Sequence, residues 1–497
     1  MARRKRSGVR KFFGGLIVVA LVGVGVFFGV QWFTKTGIFR IPGVVYYDES
    51  LDADELAVLQ EIFNDEVDLD KDVTISTYDT LERPAVVEGE YIYNIYVPTT
   101  DFYSTDTNVE ETDPEMLFAD AYEGKMAYTM TPVEDLDFTR KLLSLNGSYY
   151  LDEFDKGALY HVIKFDSELF DEEIAPLIGD TFNKQYPEKD SVLTFAQTGV
   201  TAMSRGMNAK LRVVGGDATY FSQNIADFLA GFDLTHTSNE ASFTEYASSE
   251  NICSDPRFID TLTDIGLDIV ELTGNHNQDC GDDAASDTID IYNEKGIKIV
   301  GGGKTAEEAG TPLELEEKGS NITFLAYNLS TGGATLDNTP GANQYVEASA
   351  VNEIAEAKAR GDFVLVDVQY YECSAYASEY EDPTCDYANS AAGDQVGFFR
   401  HLIDLGADMV VGTSAHQPQT FELYGEGVIY YGLGNLFFDQ IWWPGTTRSL
   451  VLVNYFYNGK HLQTKIVPTV YEADMQTKLL DEETSAWFLN RLISARP

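Results

Sequence analysis

The stretch LDIVELTGNHNQDCG (residues 267–281) decides how the second half of the chain is interpreted. It begins with a short apolar run typical of a buried strand and continues as a polar loop that holds Asn275, His276 and Asp279. A helical pattern and a further apolar run occupy residues 284–300. A strand, a polar loop, a helix and a second strand in this order predict a layered α/β domain, with its polar loops at the carboxyl ends of the strands.

The same alternation extends on both sides of this loop, over residues 191–470. Strand-like runs alternate with helical patterns, and several strands joined by short turns follow them. We therefore expect a second, more antiparallel sheet beside the first. The loop of His276 can meet three further polar loops at one rim of the domain. These loops are residues 198–205, 235–243 and 412–419.

The amino terminus carries a targeting pattern. Residues 1–11 are rich in Arg and Lys, and residues 12–33 form an apolar run. At about 1.5 Å per helical residue, this run just spans a hydrocarbon core of about 30 Å. Since basic flanks stay in the cytoplasm, we expect a single-pass anchor in the cell membrane, a linker (34–43) and an extracytoplasmic remainder. A cleaved signal peptide is the alternative, although no clear small-residue cleavage site follows the run.

Four cysteines lie in the part that we expect outside the cytoplasm: Cys253, Cys280, Cys373 and Cys385. An even number in an oxidising compartment favours disulfides. The sequence leaves their connectivity open. Pairing Cys373 with Cys385 would close the shortest loop and would leave Cys253 with Cys280. A cysteine zinc site is the alternative, although the chain has no Cys-x-x-Cys pair.

Composition and charge limit the partners and the organisation. The net charge of −47 excludes nucleic acid as a partner, because an acidic surface repels phosphate. With 497 residues, of which 44% are hydrophobic, the chain can form two or three compact units. We interpret residues 44–190 as an accessory α/β domain without a chemical motif, and residues 471–497 as a closing helical tail.

The polar loops contain side chains that suit a divalent metal ion. Glu240, Asn275, His276 and His416 combine carboxylate, carboxamide and imidazole donors, a set suited to Mn, Zn, Fe or Mg. Such an ion lowers the pKa of a bound water and polarises a phosphoryl or carbonyl oxygen. Each residue also has an ordinary alternative, such as a turn-forming Asn or a solvated carboxylate. For Asp279 the alternative is a cap on the following helix.

Four motifs in a fixed order carry a resemblance to a known family: SNE (238–240), LTGNHNQDCG (272–281), AHQPQTFELY (415–424) and VIYYGLGNLFFDQ (428–440). Together they resemble the bacterial capsule-synthesis family associated with poly-γ-glutamate, the CapA type, over residues 191–470. That family looks like a branch of the calcineurin-like metallophosphoesterases. The resemblance implies a four-layer αββα sandwich with a metal-type site at the strand ends.

The resemblance covers the expected metal ligands only in part. Glu240 matches the family's Asn-x-Glu carboxylate, Asn275 and His276 match its Asn-His pair, and His416 matches the last His of its Gly-His-His-Pro-His loop. The family's first Gly-Asp pair is absent, and Asp217 lies too close to Glu240 in sequence to replace it comfortably. The departures are Val200 for that Asp, Gln369 for a His, and Thr413 and Ser414 for two more His residues.

These matches imply at most one bound divalent ion and a set of candidate roles. Glu240, Asn275, His276 and His416 would bind the metal. The candidate catalytic residues are His276, Asp279 and Glu372, so His276 has two candidate roles. The candidate substrate-binding residues are Gln369, Gln419 and Asn435.

We expect a membrane-anchored protein that makes or processes capsule, poly-γ-glutamate or another cell-envelope polymer. As an enzyme it would be a metal-dependent hydrolase or transferase. The alternative is a non-catalytic polymer- or partner-binding protein with a degenerate metal site. Gly25 and Gly29 could pack two anchor helices together in a homo-oligomer, and a capsule-synthesis complex is a further possible assembly. Trp442 and Trp443 could pack against a polymer, with core or rim packing as the alternative.

Overall fold

The computed structural model describes the chain from residue 43 to residue 497. It leaves out residues 65, 66, 68, 86, 115, 118–127, 180, 183, 331, 334, 336, 337 and 371–393. The expected anchor (12–33) and the residues Glu372, Cys373 and Cys385 therefore lie outside the described part. Among the described residues, no helix is both long and apolar enough to cross a bilayer.

The chain divides into two compact units. The first comprises the residues up to Thr100, together with Asp106–Leu136 and Leu142–Lys189. The second comprises Asp101–Thr105, Asp137–Lys141 and Asp190–Pro497.

The first unit is built on one mixed sheet. Its helices are α1 (Ala53–Ile62), α2 (Tyr150–Glu153) and α3 (Ala175–Ile178), with a 3-10 turn at Val133–Asp135 and a π turn at Phe170–Ile174. Its strands are β1 (Val45–Tyr47), β2 (Val73–Thr80), β3 (Glu90–Asp101), β4 (Asn108–Val109), β5 (Thr129–Pro132), β6 (Arg140–Leu142), β7 (Ser144–Leu145) and β8 (Leu159–Asp166). In the sheet, five of these strands have the order β1-β2-β8-β3-β5.

A charged cluster joins three elements of this unit. His161 of β8 lies between the carboxylates of Glu55 in α1, at 2.5 Å, and Asp79 in β2, at 2.6 Å. Burial disfavours the charged imidazole, but the hydrogen bonds and negative charges of the two carboxylates outweigh it and raise the pKa of His161 to about 9. At neutral pH this histidine is therefore a charged structural link between a helix and the sheet.

The second unit contains the remaining elements. Its helices are α4 (Gly206–Val213), α5 (Ala226–Leu229), α6 (Ile259–Asp264), α7 (Asp282–Glu294), α8 (Ala306–Ala309), α9 (Glu347–Arg360), α10 (Gln395–Asp404) and α11 (Glu482–Ser494), with 3-10 turns at Ala218–Tyr220, Pro256–Phe258 and Pro444–Thr447. Its strands are β9 (Val192–Thr201), β10 (Leu234–Asn239), β11 (Ile269–Glu271), β12 (Lys298–Val300), β13 (Gly302–Gly303), β14 (Leu313–Glu317), β15 (Ser320–Asn328), β16 (Gly341–Ala342), β17 (Phe363–Gln369), β18 (Met409–Gly412), β19 (Phe421–Tyr424), β20 (Gly427–Tyr430), β21 (Asn435–Phe437), β22 (Arg448–Tyr457), β23 (Lys460–Val470) and β24 (Lys478–Leu479).

Two mixed sheets face each other in this unit, so the predicted α/β class is confirmed. The first has the order β12-β11-β10-β9-β22-β23-β24, and the second has the order β14-β15-β17-β18-β20-β19. Side chains from both inner faces, among them Phe195, Ile269, Phe324, Leu365 and Val411, form one apolar core. Strands covered on both faces need apolar residues at successive positions, and FVLV at the start of β17 shows this pattern.

Helices cover the outer faces of the two sheets. Ile354 of α9 and Phe399 of α10 pack with Val366 on the outer face of the second sheet. On the first sheet, α7 packs against β12, and the Thr235 hydroxyl of β10 donates to the Leu229 carbonyl oxygen in α5. The second unit thus consists of helices, two sheets and further helices in successive layers.

A second sheet lies beside the first, as expected, but the expectation that it is the more antiparallel of the two is wrong. The antiparallel pair β22–β23 extends the first sheet beside β9, whereas β15, β17, β18 and β20 of the second sheet run parallel. A hairpin needs only a short turn, so it can complete the exposed edge of β9. Parallel neighbours need long crossovers, and α9 and α10 lie in two such connections.

Candidate functional site

The rim at the carboxyl strand ends brings together loops that are far apart in sequence. Glu240 directly follows β10, and Gly274 lies three residues after β11. A Cβ atom at Gly274 would lie only 2.7 Å from the Glu240 Cα atom, so a side chain there would push the two loops apart. The glycine of the Gly-Asn-His motif thus serves the close approach of the loop to Glu240.

The loop after β18 completes this arrangement with His416. The Nε2 atom of His416 lies 3.7 Å from the Glu240 Oε2 atom, and both side chains are buried. On its other side, His416 Nδ1 lies 2.8 Å from the Asn435 Oδ1 atom. The structure therefore brings Glu240, His416 and Asn435, three of the predicted site residues, into one buried row.

The contacts of Asn435 determine the tautomer of His416. The Asn435 Nδ2 amide donates to the Thr446 carbonyl oxygen and to Gln440 Oε1, so its Oδ1 atom must face the imidazole as an acceptor. His416 Nδ1 therefore carries a proton. The Nε2 nitrogen faces Glu240, and in this tautomer its lone pair is the one that could bind a metal ion.

The glycines beside Asn435 are needed for packing. Gly434 has a φ of +76°, which disfavours other residues, and a Cβ there would lie 2.6 Å from the Pro418 side chain. This close packing seats the loop of Asn435 against the loop of His416. The Gly-Leu-Gly-Asn motif therefore positions the asparagine that orients the histidine.

Asn275 pairs with Gln369, a second pair of predicted site residues. The Gln369 Nε2 amide donates to the Asn275 Oδ1 atom at 3.0 Å. Gln369 is only 1% exposed, and its Oε1 atom has no hydrogen-bond partner among the described residues. The Asn275 oxygen that could bind a metal ion is thus already engaged by an amide.

His276 and Asp279 form a separate pair near the surface. The His276 Nδ1 atom lies 2.8 Å from an Asp279 carboxylate oxygen, and both side chains are partly exposed. The alternative role of Asp279 as a helix cap is wrong. The N-cap residue of α7 is Gly281, and no side chain makes a capping hydrogen bond at this end of the helix. The pair lies in the loop that follows Asn275.

A disulfide joins Cys253 to Cys280, with their Cα atoms 6.1 Å apart. Cys253 lies in the segment that begins with Glu240 and continues to the 3-10 turn at Pro256–Phe258, and Cys280 lies in the loop that contains His276. The bond therefore ties the segment after β10 to the loop after β11.

Other candidates have different surroundings. Gln419 is buried, and its Oε1 atom accepts a hydrogen bond from Gln395 at 3.2 Å. Asp217, the second Gly-Asp candidate, caps the 3-10 turn at Ala218–Tyr220 and accepts from the Thr219 amide. Within the described ranges, no group of three or more His, Cys, Asp or Glu side chains is placed to hold a metal ion.

A buried polar layer beneath the rim is absent from the candidates that the sequence suggested. The Gln197 amide donates to Asp367 Oδ1 at 2.7 Å, and His236 Nε2 lies 3.0 Å from Asp367 Oδ2. Glu271 lies beside Ser238 in the register of β10 and β11. The side chains of this layer are fully buried between the two sheets. Polar residues at inward positions of otherwise apolar strands were the sequence signal that could have revealed it.

The charge of Glu271 is strongly affected by this environment. Burial, and to a smaller extent the nearby Asp367 carboxylate, together raise the pKa of Glu271 to about 7, against opposing hydrogen bonds from Thr273 and Ser238. The Thr273 amide and hydroxyl both donate to the Glu271 carboxylate. The layer thus combines two carboxylates with one imidazole in a compartment closed to solvent.

The fold and the rim define a layered α/β protein with polar side chains gathered at the carboxyl ends of its strands. Residues 194–440 match the family described as "Bacterial capsule synthesis protein PGA_cap". The PGA biosynthesis protein CapA of Bacillus subtilis is 26% identical over 273 residues, 54% of this chain and 68% of that protein. The capsule biosynthesis protein CapA of Bacillus anthracis is 23% identical over 277 residues, 53% of this chain and 63% of that protein. Residues 194–440 of the chain form a domain of this CapA-type capsule-synthesis family, as the sequence motifs predicted.

Solved structures show a more distant likeness. The NAD nucleotidase NadN of Haemophilus influenzae is 10% identical, with a TM-score of 0.31, over 61% of this chain and 56% of that chain. At this TM-score the likeness carries no conclusion about activity.

Proposed function

We propose that this protein is a membrane-anchored, extracytoplasmic component of capsule biosynthesis that handles an envelope polymer at the rim. In this proposal the rim holds at most one divalent ion, between Glu240 and His416. The observation that supports it is the buried row of Glu240, His416 and Asn435, in which the imidazole turns its Nε2 atom toward a carboxylate.

Two donors at the rim, His416 and Glu240, are spaced as two ligands of a single ion would be. Two ligands that each lie about 2.1 Å from one ion are themselves roughly 3–4 Å apart, and the His416 and Glu240 atoms are 3.7 Å apart. A bound ion would supply Lewis-acid polarisation of a carbonyl or phosphoryl oxygen and a more acidic bound water. Asn435 would hold the imidazole in the orientation that the ion needs.

The same rim does not fit a two-metal centre. Val200, Gln369 and Thr413 stand at positions where the resemblance implies an Asp and two His ligands. None of the three side chains offers a carboxylate or an imidazole. Gln369 instead engages Asn275 through its amide, which uses a third potential ligand.

Metal content tests this proposal directly. The full-length chain, purified without chelator or polyhistidine tag and incubated with Mn, Zn or Mg, should retain about one ion per chain. Glu240→Gln and His416→Gln should each lose it. His401→Gln is the matched control, because His401 is partly exposed on α10 and pairs with Glu347.

Two outcomes would contradict the single-ion proposal. If neither the wild type nor any variant contains metal, the hypothesis of a metal-dependent hydrolase or transferase is excluded. Equal metal content in the wild type and in both rim variants would place the ion elsewhere.

A non-catalytic polymer-binding protein is the second candidate. It is favoured by Gln369 and Thr413, which offer hydrogen bonds to a ligand instead of metal coordination. The Oε1 atom of Gln369 and the Oγ1 atom of Thr413 have no partner within the described part of the chain, and both residues are at least 96% buried. Polymer affinity that survives EDTA treatment would support this candidate, and affinity lost with the metal would contradict it.

A further inference from the structure

An exposed apolar segment lies directly after the last motif of the rim. It consists of Ile441, Trp442 and Trp443, which we call the aromatic ledge. Their exposed fractions are 38%, 61% and 37%. The two indole rings are 6.2 Å apart and tilted by 71°, so they present two differently oriented apolar faces. The ledge begins just beyond residue 440, where the family match ends.

The ledge is held firmly in spite of its exposure. The Arg205 guanidinium lies 4.7 Å from the Phe438 ring and 5.8 Å from the Trp442 ring, and Asp439 binds the same guanidinium at 2.6 Å. The Thr446 hydroxyl donates to the carbonyl oxygens of Gln440 and Trp443. The hydrogen bonds hold the backbone of the ledge, and the Arg205 contact restricts the Trp442 ring, which therefore has less side-chain freedom to lose on binding.

The ledge is continuous with the rim. The Thr446 carbonyl oxygen accepts a hydrogen bond from Asn435, the residue that orients His416. Gln417 lies under the same turn, since a Cβ at Gly445 would lie 2.6 Å from its Oε1 atom. The Gln417 Nε2 donor is buried and has no hydrogen-bond partner in the described part of the chain. The ledge and the rim are therefore joined through one turn, and the Gln417 side chain is buried beneath that turn.

The charges around the ledge argue against an anionic occupant. The chain has a net charge of −47, and the guanidinium next to the ledge is already paired with Asp439. A polyanion would thus meet repulsion, and Arg205 could offset it only by giving up its ion pair with Asp439. The electron-rich face of an indole instead attracts the slightly positive C–H bonds on the apolar face of an uncharged saturated ring.

We propose that the aromatic ledge binds a chain of neutral sugar residues, with one sugar ring packed on Trp442 and the chain leading toward the rim at Asn435. This inference deepens the proposed function, on which it rests, by naming a polymer class. An anionic membrane is the less favoured occupant, because it meets the same repulsion as a polyanion.

Calorimetric titration of the full-length chain in detergent tests this inference. The probes are chitohexaose and maltohexaose, which are neutral, together with a poly-γ-glutamate oligomer and vesicles that contain phosphatidylglycerol. The variants are Trp442→Ala and Trp443→Ala. Trp487→Ala is the matched control, because Trp487 is 40% exposed on α11, near Arg448 and Arg491.

At least one neutral oligosaccharide should bind, and Trp442→Ala should weaken the Kd at least tenfold with an unchanged melting temperature. Trp487→Ala should stay within twofold of the wild type. The inference is overturned if neither oligosaccharide binds, or if Trp442→Ala binds as tightly as the wild type. Trp442-dependent binding of poly-γ-glutamate or vesicles alone also overturns it. Since the metal content of Glu240 and His416 variants does not depend on Trp442, failure of the ledge is distinguishable from failure of the rim.

Discussion

Glu271 illustrates how a single residue can make the stability of this protein depend on pH. The unfolded glutamate releases its proton near pH 4.5, whereas burial next to Asp367 keeps it on the folded chain up to about pH 7. The folded state thus binds more protons between these values. The contribution of Glu271 to the free energy of unfolding is therefore complete below pH 4.5. It is lost as the pH rises through 7, and it changes no further above that pH.

Glu271→Gln should remove this pH dependence, because the amide is neutral throughout. At about 1.4 kcal/mol for each unit of pKa shift, the variant should gain up to about 3 kcal/mol at pH 9 relative to the wild type. Urea unfolding at pH 5, 7 and 9 measures the change. Glu472→Gln is the control, since that side chain is 67% exposed. A wild-type midpoint that stays constant from pH 5 to pH 9 would contradict the proton on Glu271.

Asn435 is the residue on which the orientation of the rim depends. Asn435→Ala would remove the acceptor for His416 Nδ1 and the donor to the Thr446 carbonyl oxygen, both of which are buried. The Thr446 carbonyl oxygen keeps the hydrogen bond from the Tyr471 hydroxyl, so one buried group, His416 Nδ1, loses its acceptor, which should cost about 1–3 kcal/mol of unfolding free energy. Chemical denaturation measures this loss. Asn490→Ala, at an exposed position of α11, should change the free energy of unfolding little, and an equal effect of both substitutions would count against the assigned role.

At the scale of elements, the disulfide between Cys253 and Cys280 holds together the segment after β10 and the loop after β11. Cys253 and Cys280 are separated by 27 positions in sequence, and a closed loop of that length lowers the entropy of the unfolded chain. Replacing both cysteines by serine should therefore destabilise the second unit by about 3–4 kcal/mol. Thermal unfolding of the variant, and of the wild type with and without a thiol reductant, measures the effect. A reductant that leaves the wild-type melting temperature unchanged would argue against a stabilising bond.

Several elements were predictable because their patterns are local. The alternation around residues 267–300 predicted strands and a helix, and the structure has β11, α7 and β12 there. The assignment of strands to sheets was not predictable in the same way. Whether β22 and β23 extend the first sheet or the second depends on which apolar edge is free, and periodicity within a strand contains no such information.

At the scale of the whole molecule, the proposed membrane attachment rests on the sequence of residues 12–33, which lie outside the described part of the chain. Deleting residues 1–33 should move the chain from the membrane fraction to the soluble fraction, because this run is the one apolar stretch in the sequence long enough to span a bilayer. Fractionation with a carbonate wash measures the distribution. A deletion variant that stays in the membrane fraction would contradict the proposed anchor, and a shortened mature chain in wild-type cells would indicate a cleaved signal peptide instead.

The sequence by itself determined the α/β class, the capsule-synthesis family and the loops that contain Glu240, Asn275 and His416. These depend on local periodicity and on short motifs, which a chain carries whatever its tertiary contacts are. Only the tertiary structure decided that Asn435 orients His416 and that Gln369 engages Asn275. It also decided that Gln197 reaches Asp367 across 170 positions of sequence. These contacts arise where two sheets pack face to face, and the packing of the whole second unit selects the partners.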